Sequence, residues 1–498
     1  MKTNVFAAST LDIMSPDFAL LNKNRTPDAS APLKCFAGRR FHFIGIGGIG
    51  MSGLAKLLVK NQAIVSGSDM NASAVTDMLS AAGADITIGH ESTVIPQDTE
   101  GVVISAAIKE ENPELMLARR QGIKVIKYAQ MLGRLMDCYT GIAICGTHGK
   151  STTTGWVTWL LKQAGLDPSF VVGAEIPQCG TSSGPGNGSF FVAEACEFDR
   201  SFQNLHPRIA VILNIEADHL DYYRDEDEIV EAFEVFASGV NPNGIIIANG
   251  EDTNVARATR SLDAGVRLIT FGLTDNCHFR AGNLQVINGL HQFDVYHEAD
   301  CLGRTAISVP GHHNVYNALA VVAACISAGV EPGYVLANLD TFTGMDRRCM
   351  LKAKIADITI LDDYAHHPTE IKASLQGIRE RYKPGRIFCI FQPHQYSRTR
   401  FLLDDFAKSF TLADVTVVPE IYFVRDSEQN RQLVNSKLLV EKVRKNGCEA
   451  VFADSFADIC RYLKENVAAG DLVVTMGAGD IWKVADEYIR WLGRRGQD

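Results

Sequence analysis

The sequence has no C-x-x-C pair among its 12 cysteines, no run approaching 18 consecutive apolar residues and no long block of Lys and Arg. Each absence removes a class of protein. Scattered cysteines, several of them inside apolar stretches (Cys145, Cys325, Cys389), are the usage of small buried hydrophobes in a reducing cytosol, not of a disulfide framework or a compact zinc site. With no apolar run of spanning length, no membrane partner is expected. With 58 acidic residues against 48 basic ones, a formal net charge of −10, no nucleic-acid partner is expected either. Residues 1–37 contain no apolar stretch followed by a small-residue cleavage site and read as a polar N-terminal extension rather than a signal peptide, so a cytoplasmic location is expected.

What is present is the composition of a globular enzyme, 46% hydrophobic and 21% charged over 498 residues, too long for one core. Three α/β units are legible. In the first, residues 38–137, "RRFHFIGIGGIGMSGLAKLLV" runs from an apolar strand into Gly45, Gly47, Gly48 and Gly50, with a helix from about Met51. The next strand ends at Asp69, an acid at the carboxyl edge of a βαβ unit. Such a turn suits the diphosphate of a dinucleotide, with NAD one reading, while glycines serving only close packing are another.

The second unit, residues 138–340, opens with "IAICGTHGKSTTTGW". The usual mononucleotide pattern needs a glycine five residues before the final Gly-Lys pair, and Ile144 holds that place. The physical requirements are nonetheless met. Gly146, Thr147, His148 and Gly149 let backbone N–H groups converge, Lys150 adds a cation, and the following helix aims its N-terminus at the turn, with Ser151 or Thr152 offering a hydroxyl to Mg2+. Later strands end in polar residues, so Glu194, Glu197, Asp218 and His219 are expected at the same sheet edge, suited to Mg2+. Further on, Asn314 and Asn317 share one helical face, where they suit a base, or one of them a helix cap.

The third unit, residues 341–498, begins with Arg347 and Arg348, placed to reach a phosphate across a domain boundary. "DDYAHHPTE" then sets Asp363, Tyr364, His366 and His367 before a helix, and "FQPHQYSRTR" sets His394, Arg398 and Arg400 after a strand.

In order along the chain, "GIGGIGMSGLA", "SGSD", "SAAIKEENPE", "GTHGKSTTT", "NIEADHLD", "GHHNVYNALA", "DDYAHHPTE", "FQPHQYSRT" and "GAGDI" together resemble the ATP-dependent Mur ligases, from about Arg39 to Ile481. The resemblance implies an α/β, three-domain architecture: a Rossmann-like N-terminal domain for a UDP-sugar, a central P-loop ATPase-like domain, and a Rossmann-like C-terminal domain closing over the site. It implies an amide-forming ligase of peptidoglycan precursor synthesis, using ATP and Mg2+ to join L-alanine to the lactyl carboxylate of UDP-N-acetylmuramate, as a monomer or homodimer. A related ligase attaching a recycled peptide to the same sugar and an NAD-dependent dehydrogenase are the alternatives.

By the same resemblance Gly45, Gly47, Gly48, Gly50, Met51, Asp69 and Ser105 belong to the UDP-sugar site, and His367, His394 and Arg398 to the substrates. Residues Gly146 to Thr152, with Asn317, Arg348 and Asp363, belong to ATP. Ser151, Glu194 and His219 belong to the metal, and Lys150, Glu194, His219 and Arg348 to catalysis. The chain departs from the family pattern in reading "EACEFD" where "EADESD" is usual, so Cys196 and Phe198 stand near the metal site. Gln395 replaces an arginine in "FQPHRYSR", and "PEIYFVRDSEQNR" differs from the expected loop.

Overall fold

Short runs of Val, Ile and Phe, buried on both faces in the central strands, underlie three separate sheets in the computed structural model, which describes residues 35–89, 95–424 and 426–495. Most of the expected extension 1–37 therefore lies outside the described residues. The first sheet holds β1 (Arg40–Ile44), β2 (Ile64–Asp69), β3 (Asp85–Ile88), β4 (Gly101–Ile104) and β5 (Lys124–Lys127), all parallel, in the order β3-β2-β1-β4-β5. The chain reverses direction of growth beside β1, which puts the Gly45–Gly50 turn in the crevice where such sheets bind ligands. The helix after it begins at Ile49, two residues before the expected Met51, because Gly48 in extended geometry forms its N-cap.

The second sheet contains β6 (Thr140–Cys145), β7 (Ser169–Ile176), β8 (Thr181–Gly184), β9 (Phe190–Glu194), β10 (Ile209–Ile212), β11 (Ile245–Asn249), β12 (Arg267–Gly272), β13 (Phe279–Ile287), β14 (Leu290–His297) and β15 (Asp300–Ala306). Its order is β15-β14-β13-β12-β11-β10-β6-β9-β7-β8. The parallel strands β9, β6 and β10 lie side by side at its centre, so the chain segments leaving them, after Glu194, Cys145 and Ile212, emerge at one edge. Strands β13 to β15 are antiparallel to one another.

Packing on this sheet seats the site. The His313–Ser327 helix is buried over almost all its length, and it lies against the Lys150–Gln163 helix. Each fully buried Val or Leu contributes roughly 1.5–3 kcal/mol, so the two helices hold a fixed separation. Trp156 is fully buried, stacks on Phe342 with centroids 5.1 Å apart, and donates from Nε1 to the Leu339 carbonyl at 3.1 Å.

The third sheet comprises β16 (Met350–Ile355), β17 (Ile358–Asp363), β18 (Ile387–Phe391), β19 (Val415–Val418), β20 (Glu449–Phe452) and β21 (Leu472–Met476), in the order β16-β17-β21-β18-β19-β20. Only β16 is antiparallel. The last strand inserts between β17 and β18, an order different from the first sheet, and it brings Gly477 against the end of β17, where its N–H donates to the Asp363 carbonyl at 3.1 Å. No helix among the described residues is long and apolar enough to cross a membrane.

Candidate active site

The turn after β6 is held open by two glycines in conformations that side chains resist, Gly146 at φ +138° and Gly149 at φ +82°. A Cβ on Gly149 would lie 2.7 Å from Asn317 Oδ1, so the buried helix carrying Asn317 also demands glycine there. The first N–H groups of the Lys150–Gln163 helix, at Lys150, Ser151 and Thr152, have no intrahelical acceptor. Asn214, just beyond β10, clamps the turn from the opposite side: its Oδ1 accepts from His148 N at 2.7 Å, and its carbonyl from Thr147 N at 3.0 Å. Lys150 Nζ donates to Gly146 O, Thr147 O and Glu197 Oε1 at 2.6, 2.9 and 2.9 Å. Burial would lower its pKa, yet Glu197 and the neighbouring charges raise it, so the ammonium stays charged.

Around this cation stand the expected carboxylates. Glu194 Oε2 accepts from Ser151 Oγ at 3.0 Å and from Gly173 N at 2.8 Å. His219 Nε2 lies 3.7 Å from Glu197 Oε1, and Phe198 packs on its ring with centroids 5.1 Å apart. Asp218 does not face the turn. It is buried against Arg398, with Oδ1 3.1 Å from Nη2, and the guanidinium outweighs the cost of burial and holds its pKa far below the usual range.

A cleft of about 580 Å³ opens beside the turn, between the second and third sheets. It brings together His148, Gly149, Thr152, Asn317, Arg348 and Asp363 of the expected nucleotide set. Asn314 also lines it, but its Nδ2 donates to the Pro310 carbonyl at 2.7 Å, and its Oδ1 accepts from Asn317 Nδ2 at 2.9 Å. The two asparagines thus brace each other. Asp363 accepts from Ala365 N and Ser374 Oγ at 2.7 and 2.9 Å, and burial raises its pKa. Arg347 turns away from the cleft to pair with Asp362 at 2.8 Å, while Arg348 lies over the Tyr364 ring, 3.7 Å from Glu370.

Two acids here, Glu216 and Glu370, were not singled out from the sequence. His148 lies between Glu216 and Glu370, 3.3 Å from each, joining the second and third sheets. Burial opposes its charging, but the two carboxylates push its pKa up to about 9. His148, Glu216 and His367 are the one set of three such donors mutually within 4.8 Å among the described residues. His367 caps the Pro368–Tyr382 helix through Nδ1, and burial lowers its pKa. His394 stacks on Tyr422 and lies 3.3 Å from Arg398, whereas Arg400 covers Phe401.

The turn of the first sheet lies apart from the cleft. Gly47 N donates to Asp69 Oδ2 at 2.8 Å, so the acid that ends β2 secures the turn itself. Gly45 takes φ +74°, and Ser105 follows β4, its Oγ accepting from Ala107 N. Met51 is buried in the core beneath. A Cβ on Gly50 would meet the Tyr128 ring at 3.2 Å, and Tyr128 in turn faces Glu194: burial, then that carboxylate, raise its pKa. Lys127 and Asp199, 3.2 Å apart, tie the first two sheets together beside it.

Three α/β sheets, with glycine-rich strand-to-helix turns on the first and second and a cleft between the second and third, define the class of molecule. The chain belongs to the Mur ligase family. The family models match in succession: "Mur ligase family, catalytic domain" at residues 40–140, "Mur ligase middle domain" at 144–325 and "Mur ligase, glutamate ligase domain" at 347–479. Curated relatives include the UDP-N-acetylmuramate--L-alanine ligases of Clostridium novyi, 43% identical over 91% of this chain and 97% of its own length, and of Acetivibrio thermocellus, 41% identical over 91% and 96%. Among solved structures, the UDP-N-acetylmuramate-alanine ligase from Thermotoga maritima matches with a TM-score of 0.74 at 27% identity, over 92% of this chain and 99% of that one. A murein peptide ligase from Psychrobacter arcticus matches at 0.67 and 26% identity, over 92% and 99%.

Proposed function

We propose that this chain joins L-alanine to the lactyl carboxylate of UDP-N-acetylmuramate at the expense of ATP, as a cytoplasmic monomer or homodimer supplying peptidoglycan precursors. The reaction class rests on one observation: a charged lysine in a glycine turn, flanked by carboxylates, at the edge of a cleft shared by two domains. The substrates rest on the curated relatives, which carry the alanine-ligase name at 41–43% identity over nearly the whole chain. The dehydrogenase reading leaves the Lys150 turn, its carboxylates and the third domain without a role.

Amide synthesis needs a carboxylate oxygen turned into a leaving group. The sugar carboxylate attacks the γ-phosphate, ADP departs, and the amine then displaces phosphate from the acyl phosphate. In this reading the N–H groups of Lys150, Ser151 and Thr152 receive the phosphates, and Lys150 exchanges its turn carbonyls for phosphate oxygens. Arg348, held over Tyr364 at the cleft wall, approaches the same phosphates from the third domain. Mg2+ fits the Ser151–Glu194 pair, whose oxygens lie 3.0 Å apart beside a second carboxylate, Glu197, with a buried Oε2 that has no hydrogen-bond partner among the described residues. His219 adds a nitrogen donor beside them, and the ion, when bound, neutralises phosphate charge. The bridges from His148 and Arg398 draw the third domain over the site, where exclusion of water protects an acyl phosphate.

Phosphate release measured with ATP, UDP-N-acetylmuramate and a panel of acceptors tests this. L-Alanine is expected to support the fastest release. A preference for a peptide would assign the chain to the recycling reaction, and release independent of the sugar nucleotide would remove the ligase reading.

A further inference from the structure

One face of the first sheet carries polar side chains where apolar ones would pack. In the parallel register His42 pairs with Ser66 and Ile44 with Ser68, so these four residues of β1 and β2 point to the same side. The Pro113–Arg120 helix covers that side, with Leu115 and Ala118 in one buried cluster with Ile44 and Val102. Into the same layer the helix inserts Glu114. Its Oε2 accepts from Ser68 Oγ, and its Oε1 lies 3.5 Å from Nε2 of His42, a nitrogen with no hydrogen bond among the described residues. His42 Nδ1 in turn lies 3.0 Å from Ser66 Oγ. None of His42, Ser66, Ser68 and Glu114 is more than 4% exposed.

Replacing such buried partners together by apolar groups of the same shape is close to neutral, so the layer adds little stability. What it adds is position. Ser68 is the last residue but one of β2, and its carbonyl accepts from both Gly45 N and Ile46 N, at 2.8 and 2.9 Å. Asp69, next along, takes Gly47 N at 2.8 Å. Three successive N–H groups of the glycine turn are therefore pinned to the end of β2, and those of Ile49, Gly50 and Met51, which have no intrahelical acceptor, open the Ile49–Lys60 helix just beyond. We propose that Glu114 is a positioning residue for the sugar nucleotide: it holds Ser68, Ser68 holds the glycine turn, and the turn sets the height of the N–H groups that receive the diphosphate. The inference rests on the ligase reading and adds to it a residue that touches no substrate. A carboxyl group suits the task because one oxygen accepts from Ser68 while the other faces His42, tying the helix to both strands at once.

The test compares Ser68→Ala, Glu114→Met and Glu114→Gln in the full chain, by calorimetric titration with UDP-N-acetylmuramate and by steady-state kinetics, with thermal melting to verify that each variant is folded. Methionine matches the length of glutamate but offers only a weak acceptor, whereas glutamine keeps a carbonyl oxygen for Ser68. Losing one buried hydrogen bond should weaken sugar-nucleotide binding about tenfold in Ser68→Ala and in Glu114→Met, with the KM rising to match. Glutamine should restore binding to within about twofold of the wild type. The kcat at saturating sugar and the KM for ATP should stay near wild type in all three. The double variant Ser68→Ala, Glu114→Met should bind no more weakly than either single one, since both act through the same bond. Equal affinity in the wild type, Ser68→Ala and Glu114→Met would overturn the inference while the ligase reading stood. So would a KM for ATP rising in step with that for the sugar, the sign of a chain loosened throughout. A wild type that bound no UDP-N-acetylmuramate would remove the ligase reading itself, and the inference with it.

Discussion

Lys150 ends in three acceptors and its partner Glu197 is only 3% exposed, so this one side chain neutralises a buried acid and, on the proposed function, is also the cation offered to phosphate. Lys150→Ala should therefore abolish ATP-dependent phosphate release while leaving UDP-sugar binding, seated on another sheet, nearly unchanged by calorimetry. It should also lower stability, since an unpaired buried charge costs about 3–5 kcal/mol. Turnover like that of the wild type would remove Lys150 from the phosphate site. Gly149→Ala tests the turn's shape without touching charge. The substitution forces a left-handed residue, costing about 1–2 kcal/mol, and drives a methyl toward Asn317 Oδ1 at 2.7 Å. ATP affinity should fall at least about tenfold, an effect larger than the loss of stability explains, and titration with a non-hydrolysable analogue measures it.

At the scale of elements, the helix Tyr396–Phe401 couples the third sheet to the second through Arg398 and Asp218. Gln395, its N-cap, adopts φ +68°. The pairing alters what was expected of Arg398, whose charge is engaged before any amino acid arrives. An incoming α-carboxylate must share the guanidinium with Asp218, so Arg398→Ala should raise the KM for L-alanine much more than that for ATP, while Gln395→Arg, restoring the family's charge, should lower it. Steady-state kinetics on both variants decides this. An unchanged L-alanine KM in Arg398→Ala would leave the arginine a purely structural bridge. Strand ends and glycine turns were legible in the sequence because parallel sheets deliver both to one edge, and so Lys150, Ser151 and Glu194 could be placed together in advance. Arg398–Asp218, His148–Glu370 and Asn214 against the turn were not. Each joins segments dozens to hundreds of residues apart, and no local period or spacing records which acid on one domain meets which base on another.

Across the whole molecule, the position of the third domain rests on a titratable link. His148 belongs to the turn on the second sheet, Glu216 to the same domain, and Glu370 to the third; Arg348 and His366 also face Glu370, and the ring of His367 lies 4.7 Å from that of His148. Glu370 is held well below the carboxylate range, burial being outweighed by His366, His148 and Arg348, so it remains charged at any working pH. The link therefore breaks on the histidine side. With its pKa raised from 6.5 to about 9, His148 contributes fully below pH 6.5 and its contribution is lost as pH rises through 9, an amount on the order of 3 kcal/mol. Closure should accordingly weaken between about pH 7 and pH 10. Small-angle scattering on the wild type should show the radius of gyration growing over that interval, with the KM for ATP rising in parallel. Glu216→Gln removes one of the two supporting charges but leaves the bridge to Glu370, so the midpoint of both transitions should move toward neutral pH. In His148→Asn the dependence should vanish, because the amide still donates to one carboxylate but cannot titrate. If the transition in His148→Asn matched that of the wild type, the domains would be held by some other titrating group, and Asp218, held far below this range by Arg398, would not be that group.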